Sequence, residues 1–369
     1  MSARATAKTD KPLLILLGVL VLGGCLIFAS AAFGLLARGA TNITSVVFNH
    51  LALGLGGGLI ALFAGMHIDA RWWRKFAPHI FVFALLFTAA VFIPHIGFAH
   101  GGGRRWLNIH GLTLQPSEGL KIASVIMAAA YCAGMRENLK DIRWGLGGIL
   151  AILAGPAIIL LLQPDIGTLG VVTIAVISVF FAAGATWRDL GILAIIALLA
   201  IGVLAVYKPY VIDRVTIFLH PASAPQAEGY QMRQALIAIG SGGLLGRGFG
   251  QGVQKFTYLP EPMGDSIFAV AAEELGFIGG SLIIIFFLLF ALRGFSVGVH
   301  SVDPFAGLLA IGISSYLACE AFVNIGAMLG VVPLTGIPLT FVSQGGTAML
   351  ASLASAGILL GVSRRSAKR

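Results

Sequence analysis

The chain has 369 residues, of which 58% are hydrophobic and only 11% are charged, and its mean hydropathy is +0.95. A soluble domain usually carries about 25% charged residues, and a globule of this length cannot hide so much apolar surface from water. These values exclude a soluble enzyme, a coiled coil and a disordered chain. The net charge of +9 does not indicate a nucleic-acid partner, because the charges are scattered over short segments between apolar runs.

Apolar runs recur along the whole chain. A helix needs about 20 apolar residues to cross a bilayer, and runs of suitable length lie at roughly 13–36, 50–68, 79–98, 116–134, 144–162, 166–185, 190–207, 267–292, 304–330 and 339–362. We therefore predict an all-α polytopic membrane protein of about ten transmembrane helices, folded as a single domain over residues 1–369. The run at 116–134 is unusual because Lys121 lies inside it, although Pro116 suits a first helical position.

The basic residues predict the orientation of these spans. With the N-terminus inside, the predicted cytoplasmic segments carry nearly twice as many Lys and Arg residues as the opposite side, so the positive-inside rule places both termini in the cytoplasm. Residues 1–12 and 363–369 are then cytoplasmic tails. Residues 208–264 form a large extracytoplasmic loop between helices 7 and 8, with helical pieces such as 231–239. Loops of such length are often functional.

Charged residues cluster near the extracytoplasmic ends of the predicted spans, where a polar group is costly unless it is paired. Glu118 and Lys121 are three residues apart at the start of the fourth span, so they share a helix face and can pair. They form either a structural ion pair or part of a cavity wall for an anionic substrate. Arg105 is either an interfacial anchor or a phosphate ligand, and Trp106 either belongs to an interfacial belt or contacts a sugar face.

Asp265 stands at the mouth of the eighth span, at the end of the loop that contains Lys255 and Glu261. A carboxylate in this position either caps the helix or acts as a general base at a half-dry site, where its basicity can be tuned. Glu273 and Glu274 follow inside the span. An intramembrane carboxylate indicates function by default, but helix packing or anchoring of the loop explains this pair equally well.

Other polar features also lie in or beside the spans. Asp165, in a tight turn, either caps the next helix or takes part directly in binding or catalysis. Glu320 and Asn324, four residues apart on the ninth span, are predicted to hydrogen-bond to neighbouring helices. The Gly- and Pro-interrupted residues 333–347 must be covered by protein or water at membrane depth, so they either line a cavity or allow close helix packing.

The order of these motifs resembles that of the SEDS family of bacterial cell-wall proteins, which includes FtsW, RodA and their sporulation relatives. The matching stretches are Arg105 with Trp106, residues 115–118 with Lys121, 163–168, 234–243, 259–261, Asp265, 267–270, 273–276, and 324–326 through Gly345 and Gly346. The resemblance covers essentially the whole chain. It implies a fold of ten spans with a large external loop, and a peptidoglycan glycosyltransferase that polymerises lipid II at the outer face of the plasma membrane.

The resemblance also implies roles for particular residues. The essential aspartate of the family falls on Asp265, and its fourth-helix glutamate and lysine fall on Glu118 and Lys121. The chain departs from the family pattern around the aspartate, where Met263, Gly264 and Ser266 replace the usual His, Thr and Phe, and also at Thr340, Gln344 and Thr347. These departures affect the hydrogen-bonding surroundings of Asp265, and hence its pKa.

The chemistry that follows is the transfer of a sugar from a lipid diphosphate to a sugar hydroxyl. Asp265 is predicted to take the proton of the hydroxyl, and Arg105, Arg233 and Lys255 to supply positive charge for the departing diphosphate. Trp106, Glu118, Lys121 and Glu261 are predicted to contact substrate or shape its cavity. The sequence identifies no particular cofactor, and a divalent cation, Mg²⁺ or Mn²⁺, is an alternative source of the positive charge.

The predicted partners are lipid II, membrane lipid, a class B penicillin-binding transpeptidase and the proteins of the divisome, with no nucleic acid. Arg104, Arg105 and Trp106 after Gly103 favour a division role of the FtsW type, with an elongation polymerase of the RodA type as the alternative. A transporter that flips lipid II across the membrane is the rival from another class. The one-sided loop with its carboxylate favours an enzyme.

Overall fold

The computed structural model describes residues 9–37, 43–100, 103–109, 112–219 and 228–366. These residues form a helical bundle with a small antiparallel sheet at one end. Parts of three predicted segments lie outside the described residues, namely 1–8 of the N-terminal tail, 220–227 of the large loop and 367–369 of the C-terminal tail.

The described helices are, in chain order, α1 (Lys11–Ala37), α2 (Ile43–Phe48), α3 (Gly58–His67), α4 (Ala70–Ala89), α5 (Pro116–Gly134), α6 (Leu146–Leu162), α7 (Ile166–Ala182), α8 (Trp187–Tyr207), α9 (Pro209–Leu219), α10 (Glu228–Ser241), α11 (Gln254–Thr257), α12 (Ile267–Val299), α13 (Pro304–Met328) and α14 (Gly346–Ser366). A π-helix (Asn49–Gly57) joins α2 to α3, and a short 3₁₀ turn (Ala90–Phe92) follows α4. The strands are β1 (Gly97–His100), β2 (Gly103–Ile109) and β3 (Leu112–Leu114).

Among the described residues, seven helical segments are long and apolar enough to cross a membrane: Lys11–Gly34, Val46–His67, Ala70–Phe92, Trp187–Tyr207, Ile267–Val299, Pro304–Met328 and Gly346–Arg364. The apolar helices α6 and α7 are shorter, with 17 residues each, and α5 has 19 residues and carries Glu118 and Lys121. The all-α, multi-pass architecture is confirmed. The count of ten spans stays a prediction.

Short polar side chains fix where several helices begin, because an N-cap oxygen satisfies an amide that has no partner within the helix. The N-cap contacts are Asp69 to the Arg71 amide at 2.8 Å, Asp165 to the Thr168 amide at 3.3 Å and Asp303 to the Phe305 amide at 3.2 Å. Such a cap contributes about 1 kcal/mol. The capping interpretation of Asp165 is therefore confirmed.

Helix α13 lies at the centre of the bundle and packs against α5, α7, α12 and α14. In its most apolar stretch 72% of the residues are buried within the protein, against 6% in α8. Apart from Arg188 in its first turn, the exposed side chains of α8 are hydrophobic, as expected of a helix that faces lipid; they include Leu198, Leu199 and Val206. Because α13 is central and α8 is peripheral, residues of α13 can contact several neighbouring elements at once.

The predicted span 79–98 is wrong at both ends. Helix α4 already begins at Ala70 behind the Asp69 cap, and it ends at Ala89. The apolar residues beyond it enter a β-sheet, in which Phe98 pairs with Trp106. Hydropathy alone does not distinguish a strand at the membrane surface from the end of a span.

The last predicted span, 339–362, also begins too early. Helix α14 starts at Gly346, and the residues from 333 onward that precede it are mostly irregular. We call residues 333–345 the re-entrant segment. Protein covers it closely: a Cβ atom added at Gly24 of α1 would lie 2.3 Å from the Phe341 carbonyl oxygen.

Helix α12 is interrupted at Gly276, where φ is 69° and ψ is −168°. The loop after α10 inserts its backbone into this break. The amides of Arg247 and Gly248 donate to the carbonyls of Glu273 and Glu274, and the Phe277 amide donates to the Gly243 carbonyl at 2.8 Å. The break thus holds the large loop against the start of α12.

The Gly276→Ala variant is expected to lose about 2–3 kcal/mol of stability, because this backbone region is essentially reserved for glycine. In addition, a Cβ atom at Gly276 would lie 2.2 Å from the Gly246 nitrogen. Thermal unfolding of the detergent-solubilised protein measures the loss. The matched control is Gly280→Ala in the same helix, where the new Cβ meets its neighbours at an ordinary 3.7 Å. Equal unfolding temperatures for the two variants would contradict the prediction.

Candidate functional site

Asp265 lies in the turn between α11 and α12, two residues before α12 begins. It is partly buried, and a Cβ atom added at Gly336 of the re-entrant segment would lie 3.6 Å from its Oδ2 atom. Among the described residues, no group donates a hydrogen bond to its carboxylate. Asp265 is therefore not the N-cap of α12, and its carboxylate is free to accept a proton.

The surroundings of Asp265 raise its pKa to about 6. Burial is the main cause, since it disfavours the charged form, and the negative charge of Glu261 adds to it. The positive charges of Arg105 and Arg214 oppose both effects. A carboxyl group with this pKa is half ionised near pH 6 and can act as a base at neutral pH.

The backbone of Glu261 forms the turn that leads to Asp265. Its φ of 45° is left-handed, and its carbonyl accepts hydrogen bonds from the amides of Gly264 at 3.0 Å and Ser266 at 3.2 Å. The Glu261 side chain is exposed. Its negative charge acts on Asp265, while its predicted contact with substrate stays a prediction.

Arg105 projects from β2 to the turn between α6 and α7. Its guanidinium donates to the Gln163 carbonyl at 3.3 Å and to the Pro164 carbonyl, and it lies 3.8 Å from the Asp165 carboxylate. These contacts hold the guanidinium in place, and the nearby Asp165 carboxylate offsets part of its charge. Arg105 is thus a fixed positive charge whose field reaches Asp265. Trp106, beside it on β2, is half-buried, and its position in the strand pairs with Phe98 of β1.

Lys121 joins two helices inside the bundle. Its Nζ atom lies 2.8 Å from the Glu118 carboxylate, which confirms the predicted pair, and it also forms an ion pair with Glu320 of α13. All three side chains are at most 4% exposed. Glu320 thus bonds to a neighbouring helix, as expected. No feature of the sequence identifies this partner, because Lys121 and Glu320 are far apart along the chain.

The position of the Lys255 amino group differs from the one that its predicted role at the departing diphosphate requires. Its amino group is fully buried and contacts the Glu274 carboxylate at 2.5 Å, Ser30 Oγ at 2.7 Å and the Gly250 carbonyl at 3.1 Å. These contacts tie the large loop to α1 and α12. In this conformation the Lys255 amino group is not exposed to a substrate.

The adjacent carboxylates of α12 both anchor the loop, so the packing interpretation of Glu273 and Glu274 is the one that the contacts support. Glu273 accepts hydrogen bonds from the amides of Val253 at 2.9 Å and Gln254 at 3.2 Å. Glu274 accepts from the Gly250 amide at 2.9 Å, in addition to Lys255.

Arg233 and Arg214 bring positive charge from the large loop. Arg233 lies on α10, where Gln231 donates to Ser266 Oγ at 3.0 Å, so this helix packs beside the Asp265 turn. Arg214 on α9 acts electrostatically on Asp265, but the sequence marks it only as one of several basic residues in the loop. No spacing in the sequence distinguishes it from its neighbours.

The described residues contain no group of three or more His, Cys, Asp or Glu side chains that could hold a metal ion. A Mg²⁺ ion that is bound largely by substrate phosphates needs only one or two protein carboxylates. The exposed Glu261 fits that requirement, whereas a general base at Asp265 would need its carboxylate to stay free.

Comparisons with known proteins agree with this architecture. The family described as "Cell cycle protein", whose model covers FtsW, RodA and SpoVE, matches residues 11–368. The chain is 36% identical over 363 residues to "Stage V sporulation protein E" of Bacillus subtilis, covering 98% of this chain and 99% of the relative. It is 38% identical over 308 residues to "Probable peptidoglycan glycosyltransferase FtsW" of Geobacter metallireducens, a match that covers 84% of this chain and 82% of the relative.

Solved structures share the fold. A chain from a study titled "Structural coordination of polymerization and crosslinking by a peptidoglycan synthase complex" matches with a TM-score of 0.76 and 26% identity, covering 98% of this chain and 99% of the other. A mutant of the rod shape determining protein RodA from Thermus thermophilus matches with a TM-score of 0.70 and 25% identity, covering 98% and 99%.

The helical bundle with a carboxylate in the turn before a broken helix defines a multi-pass membrane protein with a candidate catalytic site at one end. The chain belongs to the FtsW, RodA and SpoVE family, the SEDS family that its motifs resemble.

Proposed function

We propose that this chain joins lipid II units into glycan strands at the outer face of the bacterial plasma membrane, with Asp265 as the general base and both termini in the cytoplasm. Peptidoglycan glycosyltransferase is the activity named for its FtsW relatives, and the chain is accordingly an enzyme of that class. The observation that carries the assignment to Asp265 is its partly buried carboxylate, which receives no hydrogen bond from the described residues and has a pKa of about 6.

The reaction requires one proton transfer and one displacement. Asp265 takes the proton of the acceptor sugar hydroxyl while the oxygen forms a bond to the anomeric carbon of the donor. The bond from that carbon to the lipid diphosphate breaks, and the diphosphate leaves with the electron pair. Removal of the proton by a positioned base contributes roughly 10²–10⁴-fold in rate.

Positive charge is needed to stabilise the negative charge of the departing diphosphate. Arg105 and Arg214 are the cations whose fields reach Asp265, and Arg105 is held in place by the turn between α6 and α7. Fixed charges of this kind stabilise a transition state without reorganisation. Glu261 is proposed to contact the substrate directly or through a divalent cation, and Trp106 to contact a sugar ring. Glu118 and Lys121 are proposed to shape the cavity wall from within.

The test is to mix the purified protein with lipid II in detergent and to size the products on a gel. Long glycan strands are the expected result. A parallel assay measures lipid II flipping in liposomes. Flipping without polymer would identify a transporter and overturn the proposal.

The pH dependence of polymerisation should show the titration of Asp265. A general base works only when it is deprotonated, so kcat/KM should fall as the pH drops through about 6, the pKa of Asp265. Initial rates measured from pH 5 to 8 give this acid limb. In Glu261→Gln the negative neighbour is lost, so the limb should move to lower pH. An acid limb at the same pH in Glu261→Gln as in wild type would contradict the prediction. A wild-type limb near pH 4 would contradict it as well.

The proposed partner is a class B penicillin-binding transpeptidase, which would crosslink the new strand. The synthase complex in which the structural neighbour was solved is described as coordinating polymerisation and crosslinking. We favour a division role with divisome partners, because the relatives include FtsW proteins and a sporulation protein. Depletion of the protein followed by microscopy tests this role: filaments indicate division, and round cells indicate elongation.

A further inference from the structure

The backbone around Asp265 is held by hydrogen bonds from two distant parts of the chain. The carbonyl oxygens of Met263, Gly264 and Asp265 each accept one hydrogen bond from outside the turn: from the Gln344 amide at 2.6 Å, from Ser343 Oγ at 2.8 Å and from Asn324 Nδ2 at 2.9 Å, respectively. Three consecutive carbonyls are therefore bound by α13 and the re-entrant segment. We call these three hydrogen bonds the backbone clamp.

Asn324 links the Asp265 turn to the re-entrant segment. Its Nδ2 atom also donates to the Ile337 carbonyl at 2.8 Å. Since both partners are acceptors, the orientation of the amide is fixed by chemistry. This orientation leaves Oδ1 buried without a partner among the described residues. A buried orphan acceptor is a cost that calls for an explanation.

Ser343 uses its hydroxyl in both directions. It donates to the Gly264 carbonyl and accepts from the Leu339 amide at 2.7 Å. The hydroxyl thereby holds both the turn between α11 and α12 and the conformation of the re-entrant segment.

We propose that Asn324 and Ser343 are positioning residues that aim the Asp265 carboxylate through its backbone. No described group hydrogen-bonds to that carboxylate, so the clamp is the fixed attachment that sets its direction. A base must leave its oxygen free for the proton that it takes, and a clamp on the backbone achieves this while a bond to the side chain does not. This inference rests on the proposed role of Asp265 as the base.

Loosening the clamp should affect the chemical step more than binding. A misplacement of about 1 Å at a reacting group can cost on the order of 10²-fold in rate. Water would also reach the carboxylate more easily, so the pKa of Asp265 would fall from about 6 toward its ordinary value of 3.8. The acid limb of kcat/KM would then move to lower pH.

The experiment compares Asn324→Leu and Ser343→Ala with the control Ser355→Ala. Ser355 accepts a buried hydrogen bond from Tyr316, so this control also removes a bond between α13 and α14, away from Asp265. Both clamp variants should lose about 10- to 100-fold in kcat, keep KM within about threefold, and shift the acid limb downward. The control should keep the wild-type kcat and acid limb.

Hydrogen–deuterium exchange of the Gly264, Ser266 and Ile267 amides supplies a readout that needs no activity. These amides bond within the turn, and they should exchange faster in both clamp variants than in wild type or Ser355→Ala. Ser343→Ala, the smaller change, keeps the test available if Asn324→Leu does not fold.

Unchanged kcat and exchange in the clamp variants would overturn the inference, as would an equal loss in Ser355→Ala. Faster exchange with wild-type kcat and acid limb would make the clamp purely structural, which also overturns it. If instead Asp265→Asn keeps full activity, the proposed role of Asp265 fails first, and that result is separate from the exchange data.

Discussion

Replacing Asp265 by asparagine is expected to reduce glycan polymerisation below detection while leaving the fold intact. The amide has the shape of the carboxylate but cannot take a proton at neutral pH, so the loss should be roughly 10²–10⁴-fold or greater. Stability should stay equal to wild type or rise. The carboxylate receives no hydrogen bond from the described residues, and burial raises its pKa, so removing the charge removes a desolvation cost.

The measurement pairs a lipid II polymerisation gel with a thermal unfolding curve of each purified variant. Asp303→Asn is the matched control. It makes the same carboxylate-to-amide change at the cap of α13, where Asp303 accepts from the Phe305 amide at 3.2 Å and asparagine caps equally well. Polymer from the control and none from Asp265→Asn is the expected pattern. Undiminished polymer from Asp265→Asn would eliminate it as the base.

The fold was predictable where local chemistry determines it. Long apolar runs give the spans, and a capping side chain such as Asp69, Asp165 or Asp303 marks a helix start. The break at Gly276 was not predictable, because it depends on the backbone of residues 243–248 approaching α12. The small sheet was missed for a similar reason: its apolar residues continue the hydropathy of α4, and only their pairing partners distinguish a strand.

The candidate site was predictable in part. The position of Asp265 at the mouth of a span, and the Glu118–Lys121 pair at helical spacing, follow from the sequence alone. The partner of a charged side chain elsewhere in the chain does not. The sequence predicts that Lys255 is a loop cation that meets the departing diphosphate, yet its amino group is buried against Glu274. Asn324 reads as a polar helix residue, and its contact with the Asp265 carbonyl requires the fold.

The group of Glu118, Lys121 and Glu320 should respond asymmetrically to mutation. Two carboxylates share one ammonium in a space at most 4% exposed, so the group carries a formal charge of one negative unit. Lys121→Met leaves two buried carboxylates without their shared cation and should cost about 3–5 kcal/mol, the usual effect of breaking a buried ion pair from one side. Glu320→Gln leaves a neutral Glu118–Lys121 pair and should cost no more than about 1.5 kcal/mol, the worth of one hydrogen bond. Unfolding of each variant in mixed micelles measures both losses, and a larger loss for Glu320→Gln would refute this account of the charges.

A triple variant, Glu118→Gln with Lys121→Met and Glu320→Leu, decides between the two interpretations that the sequence leaves open for the Glu118–Lys121 pair. Replacing a whole buried ionic cluster by groups of similar volume is often neutral or stabilising, so we expect the triple variant to unfold close to the wild-type temperature. If the group serves only to join α5 to α13, restored stability should restore polymerisation. If it shapes the cavity for an anionic substrate, the triple variant should be stable but should show a raised KM for lipid II. We expect the second result, because Glu320 lies one helical turn before Asn324, which binds the Asp265 carbonyl at 2.9 Å.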